Sequence, residues 1–167
     1  MAGENNIGAT LWVSNALPAT NTAAAFEALT WTQVHVLIEE PQFGISHDEV
    51  DAPNLSTGFV AGLKGAGTGA SSEILIRHDA SAPAQTGHDL LKTIAKGDGG
   101  DCSIKIGYGS GAKDPIGGPA LGAGDEVIYA QGISHSYNRN KGTSTSYKGY
   151  SVTFRLNAEE IEATEPA

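Results

Sequence analysis

The sequence predicts a mainly β domain: an antiparallel β-sandwich or barrel-like fold with one flanking α-helix at about 87–96 and long Gly-rich loops. Three observations carry this prediction. Short segments alternate apolar and polar residues with a period of two, and only one clear stretch carries apolar residues at helical spacing. Glycine and proline, 22 and 7 of 167 residues, gather between the alternating segments.

In chain order, Thr22 leading AAAFEAL predicts a short helix of two turns, packed by Phe26 and Leu29. The run WTQVHVLIE places Val34, Val36 and Ile38 on one face of a strand, with His35 on the polar-phase face beside Trp31 and Gln33. From Glu40 to Ser71 few positions are periodic, and GLKGAGTG at 62–69 reads as loop. A connection of that length inside a compact domain is expected to be mobile in the free subunit and ordered by a neighbour. Ile74 and Ile76 then mark a strand in SSEILIRH. Thr86 and Asp89 have the spacing of a capping box, Leu90, Leu91, Ile94 and Ala95 follow on one face, and Gly97 stops the helix.

Further on, Cys102, Ile104, Ile106 and Tyr108 alternate in DCSIKIGY, and residues 107–124 form a second glycine-rich connection. Val127, Tyr129 and Ile133 give another strand, with Gly132 read as a bulge. Tyr150, Val152, Phe154 and Leu156 give a fifth. Trp31, Val34, Val36, Ile104, Ile106, Val152 and Phe154 are expected in one inter-sheet core, although Trp31 is out of phase with Val34. The chain divides into an N-terminal arm at 1–19, a β domain at 20–156 and an acidic C-terminal tail at 157–167.

At 17.2 kDa the chain is the size of one domain able to bury a sizeable core. Ten Lys and Arg against nineteen Asp and Glu leave a formal charge of −9, which gives no general electrostatic reason to hold nucleic acid by its phosphates. Residues 1–63 contain Glu4, Glu27, Glu39, Glu40, Asp48, Glu49 and Asp51 but no Lys or Arg, so the acidity is concentrated at the ends. No apolar run approaches the roughly 20 residues of a membrane span. The N-terminus lacks the pattern of a secretory leader, and Cys102 is the one cysteine, which together suit a reducing cytosol.

Motifs for catalysis are weak. His47-Asp48, His78-Asp79 and His88-Asp89, with His135, raise the alternative of a small metal-dependent hydrolase, but they fall on a loop, a strand end and a helix start, where Asp is favoured locally. GAGTGA at 65–70 and GYGSGA at 107–112 match the dinucleotide fingerprint in letters and lack its strand-before, helix-after context. Lys64 precedes its glycine run, so no Walker motif is formed; Ser110 lacks a strand–helix elbow, and Cys102 alternates with Ile104 as a small core residue does. No catalytic, cofactor-binding or metal-binding residue is assigned, no cofactor is expected, and the chain is not read as an enzyme. A monomeric binding module is the other alternative.

The order of segments carries a resemblance. NTAAAFEALTWTQVHVLIEEPQFG, then SHDEVDAPNLSTGFVAGLKG, EILIRHD, GHDLLKTIAKGDGGDCSIKI and a closing aromatic-alternating strand resembles the tail tube (major tail) proteins of long-tailed bacteriophages, related in fold to type VI secretion tube proteins. The most telling pieces are Ala28-Leu29-Thr30-Trp31, the turn from Glu39 to Gly44, and Leu63-Lys64-Gly65. Over roughly residues 20–156 this resemblance implies a subunit that closes into six-membered rings, stacked into a hollow tube through which genome DNA passes without specific binding. It further implies self-contacts, a tail tip or baseplate initiator, tape measure and tail terminator proteins as partners, no membrane, and residence in the virion tail after assembly in the host cytoplasm. On this reading the acidic excess lines or flanks the channel, and Lys64, Lys92 and Lys105 offset it at subunit contacts.

Overall fold

The computed structural model describes residues 8–141 and 143–167. Its elements run β1 (Ala9–Ser14), α1 (Ala23–Glu27), β2 (Thr32–Val34), β3 (Leu37–Glu39), β4 (Ile45–Asn54), β5 (Phe59–Gly69), β6 (Ser71–Arg77), α2 (Ala82–Lys96), β7 (Asp101–Tyr108), β8 (Lys113–Asp114), β9 (Gly118–Pro119), β10 (Glu126–Arg139), β11 (Gly149–Leu156) and β12 (Ile161–Thr164). The fold is mainly β and antiparallel, as the alternation predicts.

One large sheet has the strand order β2-β1-β7-β10-β11-β6-β3, with β12 pairing the first half of β10. Its two edge strands, β2 and β3, are consecutive in sequence, joined only by His35 and Val36. Three Cα steps span at most about 11 Å, so the two edges must lie close and the sheet rolls into a barrel-like body. The expected continuous strand through Val34, Val36 and Ile38 is therefore corrected: Val36 sits at φ 58, ends the alternation, and sends the chain from one edge to the other. Its amide donates to the Ile116 carbonyl, and its carbonyl accepts from Arg77 N–H.

Two apolar layers follow from strand phase. Leu11, Val13, Ile74, Ile76, Cys102, Ile104, Ile106, Val152 and Phe154 share the inner core with Val34. On the opposite face, Phe26 of α1 stacks on Tyr129 at 5.3 Å between ring centroids, beside Val127, Trp31 and Ile161. Trp31 thus belongs to the outer cluster and Val36 to the kink, which corrects the single-core expectation for those two residues. The other five expected members lie together.

Helix α2 starts at Ala82, five residues before the expected 87, and α1 adds a second, short helix. Ser81 is its N-cap and proline stands in the first turn, where a missing N–H costs nothing. Thr86, read as a cap, instead donates from its hydroxyl to the Ala82 carbonyl inside the helix. Burying Leu91 and Ile94 in the inner core contributes about 1.5–3 kcal/mol each. At Gly87 the helix meets β2 so closely that a Cβ would lie on the Gln33 carbonyl oxygen, so only glycine fits.

Three further expectations are corrected. The irregularity of β10 lies between His135 and Asn138, where Ser136 has φ 61, and not at Gly132. Residues 9–14 of the expected arm form a strand between β2 and β7, and residues 161–164 of the expected tail pair with β10. The connection from Glu40 to Ser71 is largely a hairpin of strands β4 and β5, with GLKGAGTG inside β5.

Candidate assembly surface

That hairpin is the most exposed part of the structure. Asn54 sets its turn: the side-chain oxygen accepts from the Ser56 amide at 3.0 Å, the Asn54 carbonyl accepts from Gly58 N–H at 3.0 Å, and Gly58 takes φ +66. Ten residues of β4 at about 3.3 Å each project it some 30 Å. Nearly every side chain on both strands is exposed, because the two strands pair chiefly with each other.

Register sorts the two faces. Val50 opposite Leu63, Ala52 opposite Ala61 and Asn54 opposite Phe59 put the apolar side chains together, and Leu55 is fully exposed in the turn that follows. Phe59 is 78% exposed and Val50 and Leu63 about half. The other face carries Glu49 opposite Lys64 and Asp51 opposite Gly62. An isolated two-stranded hairpin is marginal in water, and a contiguous exposed apolar stripe marks an interaction surface.

At the other end of the barrel lies a basic cleft of about 300 Å³. Its rim carries His78, Lys92, Arg139 and Lys148, with Asp89 as the acidic lining residue, and its floor is formed by His88 and Tyr150. Lys96 and Lys92 place Nζ 4.8 and 6.0 Å from the centroid of the Tyr137 ring. His88 Nε2 donates to the His35 carbonyl at 2.9 Å, and its ring stands edge-on to Tyr150. Burial lowers the His88 pKa, so that Nδ1 is a lone pair at neutral pH. Burial also pushes the Tyr150 phenol up, and neither His88 Nδ1 nor the Tyr150 hydroxyl has a hydrogen-bond partner among the described residues.

Lys105, expected at a subunit contact, is instead buried on the outer face, where its Nζ lies 2.6 Å from a Glu165 carboxylate oxygen and 5.5 Å from the Trp12 ring centroid. The physical reason is β12: it brings Glu165 beside β7, and a buried ammonium needs such a partner. Lys64 is on the hairpin and Lys92 on the cleft. Of the expected channel acids, Asp48, Glu49 and Asp51 are on β4, Glu39 ends β3, and Glu40 accepts from the Tyr108 hydroxyl at 3.3 Å.

The His-Asp dipeptides do not converge. His47-Asp48 is on the hairpin, His78-Asp79 follows β6, His88-Asp89 is in α2, and His135 hydrogen-bonds Ser136. Among the described residues no group of three or more His, Cys, Asp or Glu side chains is placed to hold a metal ion. Cys102 is fully buried, with its thiol pushed up to about 11 by desolvation. Ser110 donates its hydroxyl and its amide to Asp125, whose carboxylate also takes the Gly122 amide at 2.7 Å, so GYGSGA forms a pinned turn.

These turn carboxylates carry a pH signature. The Ser110 and Gly122 amides hold Asp125 below its ordinary value of 3.8, and the Ile116 and Gly117 amides do so for Asp114. A depressed folded pKa contributes stability above the unfolded value and loses it as pH falls through the folded one. The Ser110 and Gly122 amides are thus expected to lose hydrogen-exchange protection below about pH 3.8. Asp125→Asn should remove that pH step; an unchanged step in the variant would show that Asp125 does not hold the turn.

No protein-family model and no curated protein sequence matches the chain. Solved structures do. A chain in the cryo-EM structure of the anti-feeding prophage baseplate, six-fold symmetrised, is similar with a TM-score of 0.52 at 7% identity, covering 98% of this chain and 97% of that one. A chain in the tail of an empty GTA particle, from helical refinement with C6 symmetry, is similar with a TM-score of 0.50 at 13% identity, covering 92% and 95%. This chain shares their fold. At such identities the likeness concerns backbone architecture over nearly the whole chain.

Proposed function

We propose that the protein is a structural subunit of a phage-like tail, a tail tube protein that self-associates into six-membered rings stacked as a conduit for DNA. The observation that carries this reading is the free-standing hairpin, with Val50, Phe59 and Leu63 exposed on one face, attached to a barrel whose fold is shared with chains of C6 and six-fold symmetrised particles. A projecting apolar face is stable when a neighbour covers it, and a heterologous contact repeated about an axis closes a ring. The net charge of −9 suits a wall along which a duplex slides, because it supplies few cations to replace the counterions of DNA. No reaction is part of this role. The initiator, tape measure and terminator proteins of a tail would be its partners, and the virion its place.

Sedimentation and negative-stain microscopy of the concentrated or seeded full chain test the proposal. Rings or tubes are expected. A sample that stays monomeric at high concentration, with a tail-tip initiator present, would remove it.

A further inference from the structure

We infer that the basic cleft is a carboxylate-binding site whose occupant is the acidic hairpin of a second copy of this chain. The inference rests on the tail-tube reading and names the partner surface that would join one ring to the next.

The first support is the cleft itself. In a chain of net charge −9, Lys92, Arg139 and Lys148 converge on one small concavity with Asp89 as the single carboxylate in its lining. Among the described residues the only ion pair is Lys105 with Glu165, so none of these three cations is paired within 4 Å. The floor is unfinished. Tyr150 is 7% and His88 2% exposed, yet among the described residues the Tyr150 hydroxyl and His88 Nδ1 are both without partners. Leaving such groups unmatched in a buried setting is costly, and ordinarily each finds a partner.

Their chemistry narrows the ligand. The phenol needs an acceptor and the cations need a negative charge, which a carboxylate meets together. His88 Nε2 already gives its proton to the His35 carbonyl, so Nδ1 needs a donor. A peptide segment carrying Asp or Glu supplies both, through its side chain and its own N–H groups; a bare carboxylate supplies only the first.

Placement chooses the segment. Strand β6 runs from Ser71, two residues beyond the end of the hairpin, to Arg77, and His78 on the cleft rim follows it. Seven residues at about 3.3 Å separate the two ends by some 20 Å, and the hairpin makes no extensive contact with the barrel. No residue of the hairpin lines the cleft of its own chain, whereas the hairpin carries Asp48, Glu49 and Asp51 against the single cation Lys64. One end is acidic and projecting and the other basic and concave, which is a head-to-tail match. The hairpin acids thereby serve the contact between rings, and the channel wall draws on other acids.

Charge exchange tests this in the full chain. Arg139→Glu with Lys148→Glu reverses the cleft, and Asp48→Lys with Asp51→Lys reverses the hairpin. Each variant alone should lose tube yield at least tenfold, while an equimolar mixture, or one chain carrying all four changes, should recover it. Tyr150→Phe should raise the concentration needed for stacking without altering the thermal midpoint. Carbodiimide coupling of wild-type tubes should link Lys148 or Lys92 of one copy to Asp48, Glu49 or Asp51 of another. Wild-type tubes that both reversals leave unaffected would overturn the inference and spare the tail-tube reading; absence of any wild-type assembly would remove that reading as well. Loss in both single variants without recovery in the mixture would overturn the pairing, as would a short DNA duplex bound by the wild type and released by the cleft reversal with tubes unchanged.

Discussion

Truncating Phe154 to alanine is expected to cost about 3–5 kcal/mol of stability, and Ile106→Ala about 2–5 kcal/mol. Phe154 is 1% exposed on β11, its ring edge-on to Phe43 at 6.2 Å between centroids, and it faces the inner core from the middle of the sheet. Ile106 lies in register between Leu11 on β1 and Ile128 on β10, so its neighbours on both sides are fixed by backbone pairing. Neither site can collapse without breaking a ladder, which is why the cavity part of the cost persists. Total stability for a domain is about 5–15 kcal/mol, so either variant should lower the denaturation midpoint strongly. Near-wild-type midpoints for both would mean that the inner face has been assigned to the wrong side of these strands.

Those residues were legible in the sequence because apolar side chains recur at every second position of their strands, between small or polar ones. Cys102, Ile104 and Ile106, and likewise Val152, Phe154 and Leu156, alternate without interruption, and their phase fixed the core directly. The hairpin was hidden for the opposite physical reason. Both its faces are solvated in the single chain, so β4 and β5 show no dry face to read, and five glycines at 58, 62, 65, 67 and 69 imitate a loop. Helix α2 was short by its first turn because Ala82, Pro83 and Ala84 carry no amphipathic signal, although proline there suits a first turn. At Val36 a β-branched residue takes positive φ, which no local rule anticipates; closing the roll of the sheet imposes it.

The candidate surfaces divide in the same way. The long connection from Glu40 to Ser71 was visible as an oddity of length, and its four acids, Glu40, Asp48, Glu49 and Asp51, were visible as charge, but its apolar stripe appears only once Val50 is paired with Leu63. Nothing in the sequence groups the cleft. His78, Lys92, Arg139 and Lys148 come from four separate stretches, and only the pairing of β10, β11 and β6 beside α2 gathers them. Lys105 shows the converse failure: as a sequence position it looks like any exposed lysine on a polar phase, while Glu165, sixty residues away, makes it part of the interior.

Disarming the apolar face of the hairpin is the change with the largest expected effect on assembly. Val50→Asp with Leu63→Asp, or Phe59→Ser with Leu55→Ser, removes apolar area that the single chain leaves in water. The barrel loses no contact, so its thermal midpoint should stay close to that of the wild type, since surface changes away from the core stay within about 0.5 kcal/mol. Covering each of these side chains in a complex is worth on the order of 1–2 kcal/mol at about 25 cal/mol per Å², and a carboxylate in its place must be desolvated instead. Every copy in a ring or stack repeats the same contact, so a deficit of a few kcal/mol per interface multiplies along the polymer and removes it. The expected outcome is a folded monomer with unchanged circular dichroism and no rings or tubes by sedimentation. Wild-type assembly in both variants would show that the stripe is not an interface. A large fall in the thermal midpoint would show instead that the hairpin supports the barrel of its own chain, a role its exposed strands give no physical reason to expect.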